Sequence, residues 1–193
     1  MSAELLVLVV VISLAVVAAL LVAYLTAHRL DRLHIRTDQA RTALAGALER
    51  RHTAATAIAR DVATRDPCAA ERITTTVAAA RTHRPGAIAG TDPAPDPDRR
   101  DWRARPHAPE AEHAENALGM VLSTVDVPAL PPDLAAEFED VTDRVAMARR
   151  FYNDAVRDTR GLREKIIVRA LRLAGRAPMP DYVELVDPPA PDG

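Results

Sequence analysis

The sequence predicts an all-α protein: an N-terminal transmembrane helix followed by an antiparallel, up-and-down bundle of four helices, of which the first and last are long. Three observations carry this fold class. The chain opens with an unbroken apolar run from Leu5 to Leu25. Apolar residues then recur at spacings of three and four in four later segments. Aromatic residues make up 3% of the chain and glycines number 7, a composition that favours helices over sheets.

The run from Leu5 to Leu25 is interpreted as a membrane anchor within residues 1–27, which makes the lipid bilayer the first partner of the chain. A helix of this run is about 30 Å long, the thickness of the hydrocarbon core of a bilayer. A cleaved signal peptide is the alternative, but the first four residues, MSAE, lack Lys and Arg and the run is too long. Arginines follow the run, so the positive-inside rule predicts a single-pass protein of the cell membrane with its N-terminus outside and its body in the cytoplasm. These arginines are Arg29, Arg32, Arg36 and Arg41.

The first body helix continues directly from the anchor, because no Pro or Gly interrupts residues 3–45. One charged residue, Arg51, falls on its apolar seam, so we expect the apolar stripe to shift there to Leu48 and Ala55. The seam consists of Leu30, Leu33, Thr37, Ala40, Leu44, Ala47, Arg51, Ala54 and Ile58.

Two shorter helices are predicted next, separated by a Pro-rich loop. Asp66 suits the N-cap of the second helix and Pro67 its first position. Residues 85–109 contain most of the Pro, Gly and Asp clusters and are expected to form a flexible loop. The third helix then runs from about Pro109 to Val125. Its inward positions are Ala114, Leu118, Val121 and Leu122.

The fourth helix has the longest seam in the chain, and Gly175 followed by Pro178 is expected to end it. The helical body is thus predicted to cover 28–176, and an acidic, Pro-rich, extended tail to cover 177–193. The seam consists of Leu134, Phe138, Val141, Val145, Ala148, Tyr152, Ala155, Thr159, Leu162, Ile166 and Leu173.

Charge and cysteine content narrow the classes of partner. The formal net charge is −2 with acids and bases interleaved, so no nucleic-acid footprint is indicated. Cys68 is the single cysteine and cannot form an internal disulfide, which fits a reducing cytoplasm.

Motifs for catalysis and for cofactors are missing from the sequence. The histidine pairs are six residues apart and no paired-Cys spacing occurs, so no metal site is predicted. Neither a P-loop nor a dinucleotide-binding glycine pattern occurs, and no cofactor is expected. Ser123 is the single serine of the body, which argues against a serine nucleophile.

The helix around Val145 to Arg163 resembles the signature of the LemA family, bacterial proteins with an N-terminal membrane helix and a helical-bundle domain. The family pattern A-R-x-x-Y-N-x-x-V is matched here by Ala148, Arg149, Tyr152, Asn153 and Val156. Upstream, Ala114-Glu115-Asn116 resembles the family's A-E-N element, and Leu48-Glu49-Arg50-Arg51 its L-x-R-R element. The stretch His52–Ile58 departs from the family's D-L-I-P-N-L-V. The resemblance implies a tethered four-helix bundle and no defined enzymatic activity.

Four residues are candidates for interaction or structure: Tyr152, Asn153, Asn116 and Arg149. The structural interpretation gives the Tyr152 hydroxyl a hydrogen-bond partner on a neighbouring helix and has both asparagines bonded across the bundle. The functional hypothesis is a non-enzymatic, membrane-anchored interaction or scaffold module that recruits unidentified proteins, with a second copy of the chain left open as a partner. The alternative is an enzyme or enzyme subunit whose site a partner completes.

Overall fold

The computed structural model describes residues 2–82, 109–165, 168 and 180–186. This part of the chain is all-α, with four α-helices and no strand. The helices are α1 (Ala3–Val62), α2 (Pro67–Thr82), α3 (Pro109–Leu122) and α4 (Pro132–Arg163), with a short 3₁₀ turn at Val127–Ala129 between the last two. The predicted fold class is confirmed at this level.

Helix α1 runs without a break from the predicted anchor into the body, as the missing Pro and Gly residues predict. It contains 60 residues and is therefore about 90 Å long. Its first part has a mean hydropathy of 3.4 over its most apolar window, and no residue of that window is buried against the rest of the protein. Among the described helices, α1 is the one long and apolar enough to span a membrane.

Helices α1 and α4 pack against each other in opposite directions. Thr37 and Thr159 bring their Oγ1 atoms to 3.1 Å, and on the surface beside them Arg36 Nη1 lies 3.1 Å from Asp158 Oδ2. Farther from the anchor, Leu44 and Tyr152 share one apolar cluster. Rising residue numbers in α1 therefore meet falling numbers in α4. Helix α1 also packs on α2, and α2 on α3.

Three apolar clusters follow one another along α1. The proximal cluster contains Leu30, Leu162 and Val168. The central cluster contains Leu44, Ala47, Leu48, Val145, Ala148, Tyr152, Val156, Val183 and Leu185. The distal cluster contains Ala55, Ile58, Ala59, Ile73, Val77, Ala80, Leu118, Leu122 and Leu130. The described seam residues predicted for α1 and α4 are all buried or partly buried, which confirms the register of both helices.

The start of α2 and the end of α3 show how local hydrogen bonds set the boundaries of a helix. Asp66 caps α2 as predicted, since its Oδ1 accepts a hydrogen bond of 2.9 Å from the Ala69 N–H. Helix α3 ends at Leu122, three residues before the predicted Val125. In the following turn the hydroxyl of Thr124 donates to the Val121 carbonyl at 2.7 Å, a local bond that competes with continued helix.

The prediction that α4 runs unbroken to Leu173 is wrong, because the helix ends at Arg163 and a turn follows at 164–165, after which Val168 is helical again. The reason is Val168, which lies off the predicted seam yet is only 1% exposed, packed in the proximal cluster. A straight helix would have turned this side chain away from the seam, so the chain turns at 164–165 instead. The predicted positions Ile166, Leu173, Gly175 and Pro178, and the loop at 85–108, lie outside the described residues.

Candidate functional site

The four residues singled out in the sequence come together around one non-helical stretch, residues 180–186, here called the docked segment. Asn116 approaches it from α3, and Arg149, Tyr152 and Asn153 approach it from α4. The boundary between body and tail at residue 176 stays a prediction, because its surroundings are not described. Beyond it, however, Val183 and Leu185 are buried in the central cluster.

Asn153 binds the main chain of Val183 with both atoms of its side-chain amide. Its Nδ2 donates to the Val183 carbonyl at 3.0 Å, and its Oδ1 accepts from the Val183 N–H at 2.9 Å. The donor and acceptor of one residue point to the same edge of an extended chain. The amide of Asn153 therefore takes the place that a neighbouring β-strand would occupy.

Asn116 repeats this contact on the opposite edge of the docked segment. Its Nδ2 donates to the Glu184 carbonyl at 3.1 Å, and its Oδ1 accepts from the Val186 N–H at 2.9 Å. Residues 184 and 186 present their main-chain groups to the edge that Val183 does not use. The segment thus lies between α3 and α4, bound on both edges by side chains. We call this place the groove.

In the remaining contacts of the groove, too, α4 binds one edge of the segment and α3 binds the other. On the α4 side the Tyr152 hydroxyl donates to the Asp181 carbonyl at 3.1 Å, and Arg149 Nη1 donates to the Leu185 carbonyl. On the α3 side Glu112 Oε1 accepts from the Glu184 N–H at 3.4 Å. The groove therefore binds main-chain groups at almost every position of the segment.

Arg160 fixes the beginning of the docked segment. Its Nε donates to the Pro180 carbonyl at 2.8 Å, and its Nη2 lies 2.6 Å from Asp181 Oδ1. The guanidinium also lies over the ring of Tyr182, with 5.1 Å between Cζ and the ring centroid. Among the described residues, Arg160 is the one that forms an ion pair with an acidic side chain of the segment.

The expected partners of these residues were neighbouring helices, and the structure corrects this. The described hydrogen bonds of Tyr152, Asn153 and Asn116 go to the docked segment instead. The reason is geometric, since the Tyr152 ring fills the central cluster while its hydroxyl reaches past the helix surface to the segment. The residues that the sequence missed are Arg160, Glu112, Val183 and Leu185. The alternation of Val183 and Leu185 with Tyr182 and Glu184 was the available signal.

Docking of the segment brings carboxylates close to Glu112. Partial burial raises the pKa of Glu112, and the negative charges of Glu184 and Asp181 act in the same direction. The hydrogen bond from the Glu184 N–H and the charge of His113 lower this pKa only in part. The net result is a raised pKa, so the partly buried Glu112 ionises less readily than a free glutamate.

Directly behind the groove lies a buried ion cluster formed by Arg51, His52 and Glu115. His52 Nε2 donates to Glu115 Oε1 at 2.9 Å, Arg51 Nη2 donates to the Glu115 carbonyl at 3.2 Å, and the same Nη2 binds Glu115 Oε2. Exposure is 0% for His52, 7% for Arg51 and 5% for Glu115. Among the described residues no hydrogen-bond partner is found for His52 Nδ1 or Arg51 Nε.

The expected shift of the apolar stripe to Leu48 and Ala55 is confirmed, since both are buried, but Arg51 is buried with them. Arg51 stays on the seam with Leu48 and Ala55, because Glu115 supplies a buried opposite charge. Burial by itself raises the pKa of Glu115. The hydrogen bond from His52 and the charge of Arg51 outweigh that effect, so this pKa lies below its ordinary value. Glu115 is therefore held as a carboxylate.

Other candidates for chemistry are isolated. Cys68 is exposed at the start of α2. No group of three or more His, Cys, Asp or Glu side chains that could hold a metal ion occurs in the described part of the chain.

Comparison with protein-family models, with curated proteins and with solved structures finds no match to this chain.

Glu115→Gln should destabilise the protein by about 3–5 kcal/mol, because it leaves Arg51 buried without an opposite charge. The control is Glu110→Gln in the exposed first turn of α3, which should cost about 1 kcal/mol or less. Urea denaturation of the detergent-solubilised chain measures both. Because the pKa of Glu115 is depressed in the folded state, its contribution is present above the ordinary glutamate pKa and lost as pH falls through the depressed value. Equal stability of the two variants would contradict a structural role of the cluster.

Asn153→Ala should weaken docking of the segment by about 1–3 kcal/mol, since two hydrogen bonds to Val183 are lost. The measurement is hydrogen exchange of the Val183 amide. The matched control is Asp154→Ala, which removes an exposed pair with Arg157 and should change that exchange little. Similar exchange rates in both variants would mean that Asn153 does not hold the segment.

Proposed function

We propose that this chain is a single-pass membrane protein whose cytoplasmic body, an antiparallel four-helix bundle of the LemA type, binds protein partners and catalyses no reaction. The observation that carries the proposal is the groove, which holds an extended polypeptide through its main chain. Sites that bind main-chain donors and acceptors of an extended segment are a recurring way for protein modules to bind peptides.

The anchor is supported by the exposure of the apolar run. The side chains from Leu5 to Leu25 lie on a helix that no other described element covers, whereas the helix of a soluble core would be mostly buried. Arginines follow the run directly, so the body belongs on the cytoplasmic side.

The bundle arrangement is supported by the order of the contacts. Helices α1 and α2 are neighbours, as are α2 and α3, and α4 returns along α1. The LemA resemblance is supported by what its residues do. Arg51 of the L-x-R-R element binds Glu115 of the A-E-N element, and Asn116 binds the same segment as Asn153 of the last-helix signature.

The alternative of an enzyme subunit is weaker because the best catalytic side chains are sealed. His52 and Glu115 are hydrogen-bonded, as a general base and its orienting group would be, yet His52 has no exposed surface. A substrate reaching it would have to separate α1 from α3. The cluster is better explained as a structural ion pair.

The topology predicts the result of fractionation and proteolysis. The protein should stay in the membrane fraction after an alkaline wash, and protease added to spheroplasts should spare the body. Lysed spheroplasts are the control, in which the body should be digested. Digestion of the body from outside would contradict the predicted orientation. Release of the protein by alkali would contradict the membrane anchor.

The interaction role predicts a partner in the native membrane. Chemical crosslinking in cells, followed by purification of the detergent-solubilised full chain, should recover a defined protein in a fixed ratio to the chain. The control is a chain in which Arg157→Ala changes only an exposed pair. Recovery of the chain alone under all conditions would contradict the interaction role.

A further inference from the structure

We infer that the groove is a binding site for an extended segment of another polypeptide, and that the docked segment is a built-in ligand which this partner replaces. The partner segment has an acidic residue two positions before the first of two aliphatic residues, with one residue between the aliphatic pair. The inference rests on the proposed function, because it names the class of partner that the module binds.

The contacts that hold the docked segment are mostly independent of its side chains. Asn153 and Asn116 bind main-chain atoms on opposite edges, and Tyr152 and Arg149 bind two further carbonyls. Any extended chain presents the same groups at the same spacing. The groove therefore fits an extended peptide as a class.

Selectivity comes from three positions of the segment. Val183 and Leu185 are 3% and 6% exposed and point into the central cluster, whereas Tyr182, Glu184 and Val186 between and beyond them are exposed. Asp181 pairs with Arg160 at the entrance. The pattern acid-x-aliphatic-x-aliphatic follows directly from these contacts.

The docked segment can leave without breaking the helices. Among the described residues its hydrogen bonds all run between main chain and side chains or between two side chains, and no main-chain ladder joins it to a helix. Release of the segment therefore breaks no main-chain hydrogen bond of a helix, although it uncovers the part of the central cluster that Val183 and Leu185 fill.

Because the docked segment is covalently linked to the groove, a partner has to compete with it for binding. The effective concentration of a covalently linked segment can reach the order of millimolar. A free peptide of the same sequence should therefore bind the wild-type chain much more weakly than a chain whose own segment is disabled.

The first test needs no variant. Hydrogen exchange of the full chain should show the Val183 and Val186 amides exchanging about tenfold faster, or more, than amides in the middle of α4, because the segment opens locally. If these amides exchange only as fast as those of central α4, the segment is released only on global unfolding, and the inference is overturned.

The second test uses a fluorescent peptide of residues 179–187 and the full chain carrying Val183→Asp with Leu185→Asp, which vacates the groove. The peptide should bind this chain with a Kd on the order of micromolar, about tenfold or more tightly than it binds wild type. Adding Asn153→Ala should weaken binding about tenfold or more, and adding Asp154→Ala should not. A peptide in which both aliphatic residues are Asp is the control and should not bind.

Two outcomes of this titration overturn the inference. One is that the vacated chain keeps its helical circular dichroism but shows no saturable binding of the peptide up to about 1 mM. The other is that the Asn153→Ala substitution leaves the affinity for the peptide unchanged. If the vacated chain loses its helical signal, the peptide is added in excess to wild type instead. It should then speed exchange of the chain's own Val183 amide about tenfold or more, and unchanged exchange overturns the inference.

Two further results separate this inference from the proposed function and identify the occupant. If wild type and Asn153→Ala recover the same crosslinked partner equally, the interaction role stands, but the inference that the groove is its binding site is overturned. Two differently tagged copies of the chain are also co-purified. If they associate, and the Val183→Asp, Leu185→Asp variant loses the association, the occupant of the groove is a second copy of the chain. That result overturns the inference that a different polypeptide binds there.

Discussion

The buried carboxylate of Glu115 fixes the helix that forms one wall of the groove. It joins α3 to α1 through Arg51 and His52, whereas the buried members of the distal cluster are all small or aliphatic. A buried charge tolerates little change in geometry, because any partner that moves away leaves an unpaired ion. The rotation of α3 about its axis is therefore set at residue 115, and Asn116, the next residue, is held where it faces the docked segment.

The second constraint is that an extended chain has two edges of main-chain donors and acceptors, and buried ones must be paired. A sheet would supply neighbouring strands, which the described part of this protein lacks. Two asparagine amides replace them, because an amide presents a donor and an acceptor at a spacing that matches the main chain. Aspartate could not donate in this way. The same physics explains why only Val183 and Leu185 of the segment are buried, since alternate residues face the same side.

Much of the fold follows from spacing alone, whereas its exceptions depend on contacts distant in sequence. The seams of α1 and α4 and the cap at Asp66 are local patterns and were predictable. The early end of α4 was not, because it depends on Val168 meeting Leu30. Burial of Arg51 was not predictable from residue type, because it requires a carboxylate 64 positions away. The four site residues were recognisable as a set, but the segment that they bind lies in a stretch that was predicted only as an extended tail.

Tyr152 shows why structural and recognition roles are not separable at every position. Its ring is part of the central cluster, which joins α1 to α4, while its hydroxyl binds the Asp181 carbonyl in the groove. A change at Tyr152 therefore alters core packing and segment binding together. Asn153 is half-buried and reaches the segment through its amide. Helix α1 passes unbroken from the apolar run to the central cluster, in which its residues Leu44 and Leu48 pack together with Val183 of the docked segment. Occupancy of the groove is thus linked to α1 through packed side chains. Because neither Asn153 nor Asn116 belongs to the central cluster, a change at either residue alters binding of the segment with little change to that packing.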